Sequence, residues 1–287
     1  MSSPLVRELL DSGIHFGHHS SRWNPKMKPY IYGKRNSVHI INIKETLLGL
    51  LRAQKFLARL VGQNQDVLFV GTKRQARDIV AAAADRCGMH YVNERWLGGT
   101  LTNFRTIRSR LQRLEELEAT VNGPTWETGY SKKMQSTIQR ELKKILRNLG
   151  GIRKMTRLPG ALIVVDVRKE ANAIHEAKSL GIPTLSLIDT DGDPDRVSIP
   201  IPGNDDAMRS IELVMNKLAD AIDEGKRARP EPSAAPLQDR MGPGGEGDGG
   251  RPRRARRGPG AGRGEGDAAQ PEAATATMEP GEAPTTA

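Results

Sequence analysis

The sequence predicts an α/β protein: a doubly wound parallel sheet with an inserted α-helical coiled-coil hairpin and a disordered C-terminal tail. Three observations carry this. Short β-branched apolar runs alternate with helix-length amphipathic segments across residues 1–225, the pattern of a sheet covered by helices. Residues 104–149 break that alternation with apolar residues every three or four positions. The last 62 residues, Lys226 to Ala287, hold 12 of the 30 glycines, 9 of the 18 prolines and no aromatic residue, too little apolar surface to offset chain entropy.

Taken in order, Pro4 suits a first helical position and Gly13 a stop, so a helix is predicted over 4–12. A second helix, over 43–61, opens on Asn42 with Glu45 three residues later, a capping-box arrangement. Val67–Val70, Ala161–Val165 and Thr184–Ile188 are buried-strand runs, with weaker strands at Met89–Val92 and Val197–Ile199. Helices over 74–86, 170–180 and 206–224 separate and follow them. From Phe104, residues Ile107, Leu111, Leu114 and Leu117 form one seam, and from Met134, residues Ile138, Leu142, Ile145 and Leu149 form another. Asn122-Gly123-Pro124 ends the first helix and Gly150-Gly151 the second. The expected organisation is an α/β domain over 1–103 and 152–225, a hairpin over 104–151 and a tail over 226–287. No internal repeat is visible.

Charge narrows the partners. Lys and Arg number 44 against 34 Asp and Glu, a net of +10, and a strongly cationic chain is expected to meet a polyanion. The tail carries only +1 of this, so the folded body holds the rest. One cysteine, Cys87, excludes an intramolecular disulfide and a cysteine-based zinc finger. Apolar runs fall short of about 18 residues, and Met1 to Leu10 lacks the pattern of a signal peptide. A cytoplasmic protein with no membrane partner is expected.

The catalytic motifs are weak. Gly71-Thr72-Lys73 after a strand lacks the second glycine of a phosphate loop; the readings are a tight βα turn, a turn presenting Lys73, Arg74 and Arg77 to RNA phosphate, or nucleotide binding. Dinucleotide-like glycine spacing occurs at Gly242/Gly244/Gly247 and Gly245/Gly247/Gly250, but inside the tail with no strand before it. His15, His18 and His19 offer a His-x-x-His pattern, and Asp189 follows a strand end, with Asp205 and Asp206 at a helix start. Mixed imidazole and carboxylate ligands suit zinc, so His15, His18, Asp189, Asp205 and Asp206 are candidate ligands beside the reading of packed or hydrogen-bonded loops. No other cofactor is expected. No nucleophile elbow and no paired-carboxylate constellation supports an enzyme.

The basic residues are concentrated instead. Ser12 to Lys44 holds six Lys or Arg, four His and no acid, and Lys132 to Arg157 holds nine basic residues against Glu141 alone. A solvated helix face ordinarily mixes signs; clustered cations neutralise phosphates, and planar aromatics stack on bases. The candidate RNA-binding residues are Arg22, Lys26, Lys28, Lys34, Arg35, Lys73, Arg74, Arg95, Arg105 and Arg108, with Lys132, Lys133, Arg140, Lys143, Lys144 and Arg147 from the hairpin. Trp23 and Trp96 are expected either to stack on bases or to be buried.

Several words of the chain are recognisable. His15-Phe16-Gly17-His18, Trp23-Asn24-Pro25-Lys26-Met27-Lys28-Pro29-Tyr30-Ile31, Phe69-Val70-Gly71-Thr72-Lys73-Arg74, Arg95-Trp96-Leu97-Gly98-Gly99-Thr100-Leu101-Thr102-Asn103 and Ile201-Pro202-Gly203-Asn204-Asp205-Asp206 resemble the bacterial ribosomal protein S2 family, in order and in register. The resemblance implies a Rossmann-like or flavodoxin-like domain that binds no dinucleotide, with a protruding coiled-coil hairpin and no catalysis. It implies a ribosome-bound protein on the solvent side of the small subunit, at the junction of head and body near the mRNA exit. There it would contact 16S rRNA and help recruit the large mRNA-binding protein built from OB-fold repeats. The long Gly/Pro/Arg tail departs from the family; the readings of its arginines are a diffuse cationic segment that tracks mRNA and an inert solvated tail. The rival readings are an off-ribosome RNA chaperone and a nucleotide-binding α/β enzyme using the aspartates after Ile188.

Overall fold

The computed structural model describes residues 4–229 apart from residue 125. The expected tail therefore lies, from residue 230 onward, outside the described residues.

Helix α1 (Pro4–Asp11) leads into a small antiparallel sheet of β1 (Phe16–His19), β2 (Ile31–Arg35) and β3 (Val38–Ile41), in the order β1-β3-β2. Helix α2 (Ile43–Gly62) follows, then β4 (Val67–Val70), α3 (Arg77–Arg86) and β5 (His90–Val92). The hairpin is α4 (Phe104–Val121), a short α5 (Trp126–Gly129) and α6 (Lys132–Leu149). The chain then re-enters the sheet through β6 (Ala161–Val165), α7 (Ala171–Ser179), β7 (Thr184–Ile188) and β8 (Ile199–Pro202), and closes with α8 (Met208–Arg227).

All strand pairs of the second sheet are parallel, in the order β5-β4-β6-β7-β8. This is the flavodoxin-like order 2-1-3-4-5, whose reversal point lies between β4 and β6. Every residue of β4, β6 and β7 is buried because both faces are covered. Strand alternation divides them between two cores. Val67, Phe69, Ile163 and Leu185 pack under α2, α3 and α8, while Leu68, Val70, Leu162 and Val164 pack under α7 and the base of the hairpin. The parallel sheet wound on both sides is thus the predicted fold.

The weakly patterned regions differ from expectation. The sequence reading left residues 14–42 without strands, yet β2 and β3 form a hairpin through Asn36 and Ser37 at φ 47° and 62°, the two left-handed residues of a type I′ turn. Strand β8, over Ile199–Pro202, starts two residues and ends three residues later than predicted. Pro200 and Pro202 are tolerated because β8 is the sheet edge, where one side of the ladder needs no donor. Asn42 caps α2 by accepting from the Lys44 amide, but Glu45 completes no capping box: the Asn42 amide donates to the Tyr30 carbonyl instead. Helix α8 runs two residues past the expected boundary at 225, and the Arg229 Nε donates to the Val61 carbonyl at 2.9 Å.

Close approach of α2 to β8 depends on Gly49. A Cβ at Gly49 would lie 2.6 Å from the Pro200 carbonyl oxygen of β8. Replacing a mid-helix glycine by alanine ordinarily gains about 1 kcal/mol of helix propensity. Here the overlap is with backbone, which cannot swing aside, and overpacking costs about 1–3 kcal/mol. Gly49→Ala is expected to lower the urea midpoint; a raised midpoint would show that α2 has room to retreat from β8.

Candidate nucleic-acid interface

At the reversal point, where this topology presents a phosphate-binding crevice, the protein places its own carboxylate. The buried Glu170 accepts from the Thr72 amide at 2.9 Å and the Thr72 hydroxyl at 2.5 Å. Burial pushes its carboxyl above the ordinary value, with the two Thr72 bonds opposing. The expected turn at Gly71-Thr72-Lys73 is present, but Lys73 does not face solvent. Its ammonium, only 12% exposed, lies 2.7 Å from both Asp205 and Asp206 and 3.7 Å from Asp166. Lys73, expected among the phosphate contacts, is instead seen paired with three carboxylates of the protein itself. Arg74, beside it, is exposed.

The same edge gathers part of the expected metal set. Donor atoms of His18, Asp189 and Asp205 lie within 4.8 Å of one another. The two ring nitrogens of His18 are 2.8 Å from Asp189 and 3.2 Å from Asp206. The bond to Asp189 raises the His18 pKa to about 9 against the opposing effect of burial, and burial pushes Asp205 up to about 7, with Lys73 opposing. His15 stands apart from this group; it stacks on Phe16 with centroids 4.1 Å apart, and burial lowers its pKa. The imidazole and carboxylate donors of His18, Asp189 and Asp205 suit zinc by type, but a dication bound there would meet the Lys73 ammonium.

A second internal carboxylate organises residues 95–103. Glu176 of α7 accepts from the Trp96 indole at 2.9 Å and the Gly99 amide at 2.8 Å through one oxygen. Its other oxygen accepts from the Leu101 amide at 2.9 Å and the Thr102 amide at 3.2 Å. Burial raises the Glu176 carboxyl, yet these donated bonds outweigh it and hold the group below its ordinary value. Trp96 is 8% exposed, so of its two expected roles the structure takes burial. The loop delivers Arg95 to the surface and starts α4, whose Arg105 and Arg108 are exposed; the Arg108 guanidinium donates to the Thr156 carbonyl at 3.0 Å.

Across from that loop, α6 presents Arg140, Lys143, Lys144 and Arg147 on successive turns. Spacings of three and four residues put them on one face. With Arg77 and Arg95 they line a cleft of about 570 Å³ in which Glu94 is the only carboxylate among the lining residues. Glu94 is 2.6 Å from Arg147 and 3.2 Å from Arg77, and the Arg147 bond above all keeps its carboxyl below the usual range. Lys132 and Lys133 continue the exposed basic face at the far end of α6.

Arg22 and Lys28 in the β1–β2 connection and Lys34 and Arg35 on β2 are exposed. Lys26 is committed, at 3.1 Å from Asp193 and 2.8 Å from Asp195, because the β7–β8 connection folds its acidic turn against this loop. Trp23 is half-buried, its ring centroid 5.2 Å from that of His39. The sequence reading missed Glu170 and Glu176. Both lie on the one amphipathic segment predicted over 170–180, with no motif to mark either as the partner of a distant loop.

The geometry defines a class: an α/β scaffold whose nucleotide crevice is filled by its own side chains, carrying a cationic helical arm. The match to a family model, ribosomal protein S2, spans residues 9–225, and the chain belongs to that family, one of ribosomal constituents rather than enzymes. Similar proteins include the small ribosomal subunit protein uS2 of Rhodopirellula baltica, 56% identical over 241 residues, which are 82% of this chain and 92% of that protein. The uS2 proteins of Synechocystis sp. and Syntrophobacter fumaroxidans are 51% and 50% identical, covering 79% and 80% of this chain and 84% of each relative. No helix among the described residues is long and apolar enough to cross a membrane.

Removing the Glu176 carboxylate orphans several buried donors at once, so Glu176→Ala is expected to cost roughly 3–5 kcal/mol. Because the folded carboxyl titrates low, its stabilisation is complete above the unfolded value of about 4.3 and is lost as pH falls through the folded value. Urea melts of the unchanged chain and of Glu176→Gln should therefore differ most near neutral pH and converge only once pH has fallen below the lowered folded value. Equal stability at pH 7 would mean that the loop holds itself.

Proposed function

We propose that this ribosomal protein binds 16S rRNA chiefly through phosphate contacts, as a non-catalytic constituent of the small subunit. The observation that carries the reading is the cationic face of α6 opposite Arg77 and Arg95, which holds six basic side chains and one acid. A rigid body positions these charges where the hairpin meets it, with Glu94 between Arg147 and Arg77. The exposed Arg22 and Lys28 in the β1–β2 connection, with Lys34 and Arg35 on β2, are a second group of cations. The family resemblance supports a seat at the junction of head and body near the mRNA exit. It also supports a role in docking the mRNA-binding protein built from OB-fold repeats.

Phosphate-dominated binding has a salt signature. The logarithm of affinity falls with the logarithm of salt by roughly 0.7 to 0.9 per phosphate neutralised. In filter binding to a 16S rRNA fragment, Arg140→Ala, Lys143→Ala and Lys144→Ala combined should flatten the slope by roughly two to three. Lys26→Ala should leave it unchanged, since Asp193 and Asp195 already hold that ammonium. An unchanged slope for the triple variant places α6 away from RNA.

A further inference from the structure

Tyr32 stands out on the antiparallel sheet. It is 81% exposed, the most exposed of the large apolar side chains among the described residues, the next being Met208 at 58%. It lies on β2, an edge strand, and it has no cross-strand partner: Ile31 pairs with Ile41 and Gly33 with Ile40, so Tyr32 is the extra residue of a β-bulge. A bulge re-aims the side chain it carries. The backbone beside the ring is open, since a Cβ at Gly33 would meet nothing within 4 Å. Lys28 lies in the 3-10 turn that leads into β2, and Lys34 and Arg35 follow Tyr32 on the strand; all three are exposed and, unlike Lys26, in no ion pair among the described residues.

Edge protection explains a bulge and a lysine on an outer strand. It does not explain an aromatic ring turned into water on a segment whose exposed neighbours along the chain include Lys28, Lys34 and Arg35. A protein hot spot would be expected amid apolar contacts that exclude water, whereas the surroundings here are bare strand and positive charge. An aromatic platform flanked by cations is the arrangement that takes a single-stranded nucleic acid, the ring meeting a base and the cations its phosphates.

We propose that Tyr32 stacks on an unpaired nucleobase, with Lys28, Lys34 and Arg35 on the flanking phosphates. The inference rests on the RNA-binding reading above and adds that this second group of cations recognises a single strand, where the α6 cleft meets backbone charge alone. The full chain, unchanged and as Tyr32→Ala and Tyr32→Phe, is titrated into fluorescein-labelled single-stranded oligoadenylate and into a fully paired RNA duplex at the same salt. Tyr32→Ala is expected to weaken the single strand by about 5- to 150-fold while leaving the duplex and both salt slopes as in the unchanged chain. Tyr32→Phe should retain the affinity, because the ring does the work. Urea midpoints equal to that of the unchanged chain check that the variants are folded, as the exposure of the side chain predicts.

If the unchanged chain binds neither RNA, the RNA-binding reading fails and takes this inference with it. If it binds but Tyr32→Ala binds the single strand equally well, or if Phe fails as Ala does, only the stacking proposal is overturned. Equal loss on strand and duplex also overturns it. So does unchanged RNA affinity with loss of co-sedimentation with small subunits, which would assign Tyr32 to a protein contact.

Discussion

The placement of the hairpin depends on a buried carboxylate whose partners are all within the protein. Glu176 collects the Trp96 indole and the amides of Gly99, Leu101 and Thr102, so the loop leaving the sheet closes around a fixed negative charge. Turning peptide amides toward an anion is how proteins of this architecture hold phosphates. Here the anion is internal, and what it fixes is the exit direction of the chain into α4. Two long helices anchored at one end act as a lever, so a small error at the base becomes a large displacement of α6. Glu170 does the equivalent at the reversal point of the sheet, taking both Thr72 donors.

The distribution of charge follows from the same economy of space. Near the carboxyl edge of the sheet, cations are neutralised at home: Lys73 by Asp205 and Asp206, Lys26 by Asp193 and Asp195, Arg168 by Asp191. These pairs fasten the antiparallel sheet and the β7–β8 connection to the body. The face of α6 and the outer strand β2 carry exposed cations that share in the net charge of +10. Net charge suggests a polyanionic partner, but only the structure separates cations spent on internal pairs from those free to meet it.

Much of the fold was legible in the sequence because burial on both faces leaves an unambiguous record. Val67–Val70, Ala161–Val165 and Thr184–Ile188 are strands at their predicted bounds, and the hairpin helices end at the predicted glycines and proline. The antiparallel sheet was illegible because β2 and β3 are short and half-exposed, and their register is set by a bulge and an Asn36-Ser37 turn rather than by alternation. Among the candidate site residues, position along the chain identified the basic clusters correctly as clusters. It could not reveal that Lys26 and Lys73 meet acids more than 100 residues away, nor that Trp96 is held by Glu176, because such pairings exist only once the loops converge. Gathering His18 with Asp189 and Asp205 was readable from the rule that strand-end loops share one edge; the exclusion of His15 was not.

The central claim is that α6 lies against 16S rRNA in the small subunit, and directed hydroxyl-radical cleavage tests it most directly. Cys87 is 1% exposed and burial pushes its thiol up to about 11, so a cysteine introduced as Lys143→Cys can be labelled selectively with iron chelate. Assembled into small subunits, the labelled protein should cut 16S rRNA at discrete backbone positions around the hairpin. Subunits that contain the labelled chain but show no cleavage above the unlabelled background would contradict the account.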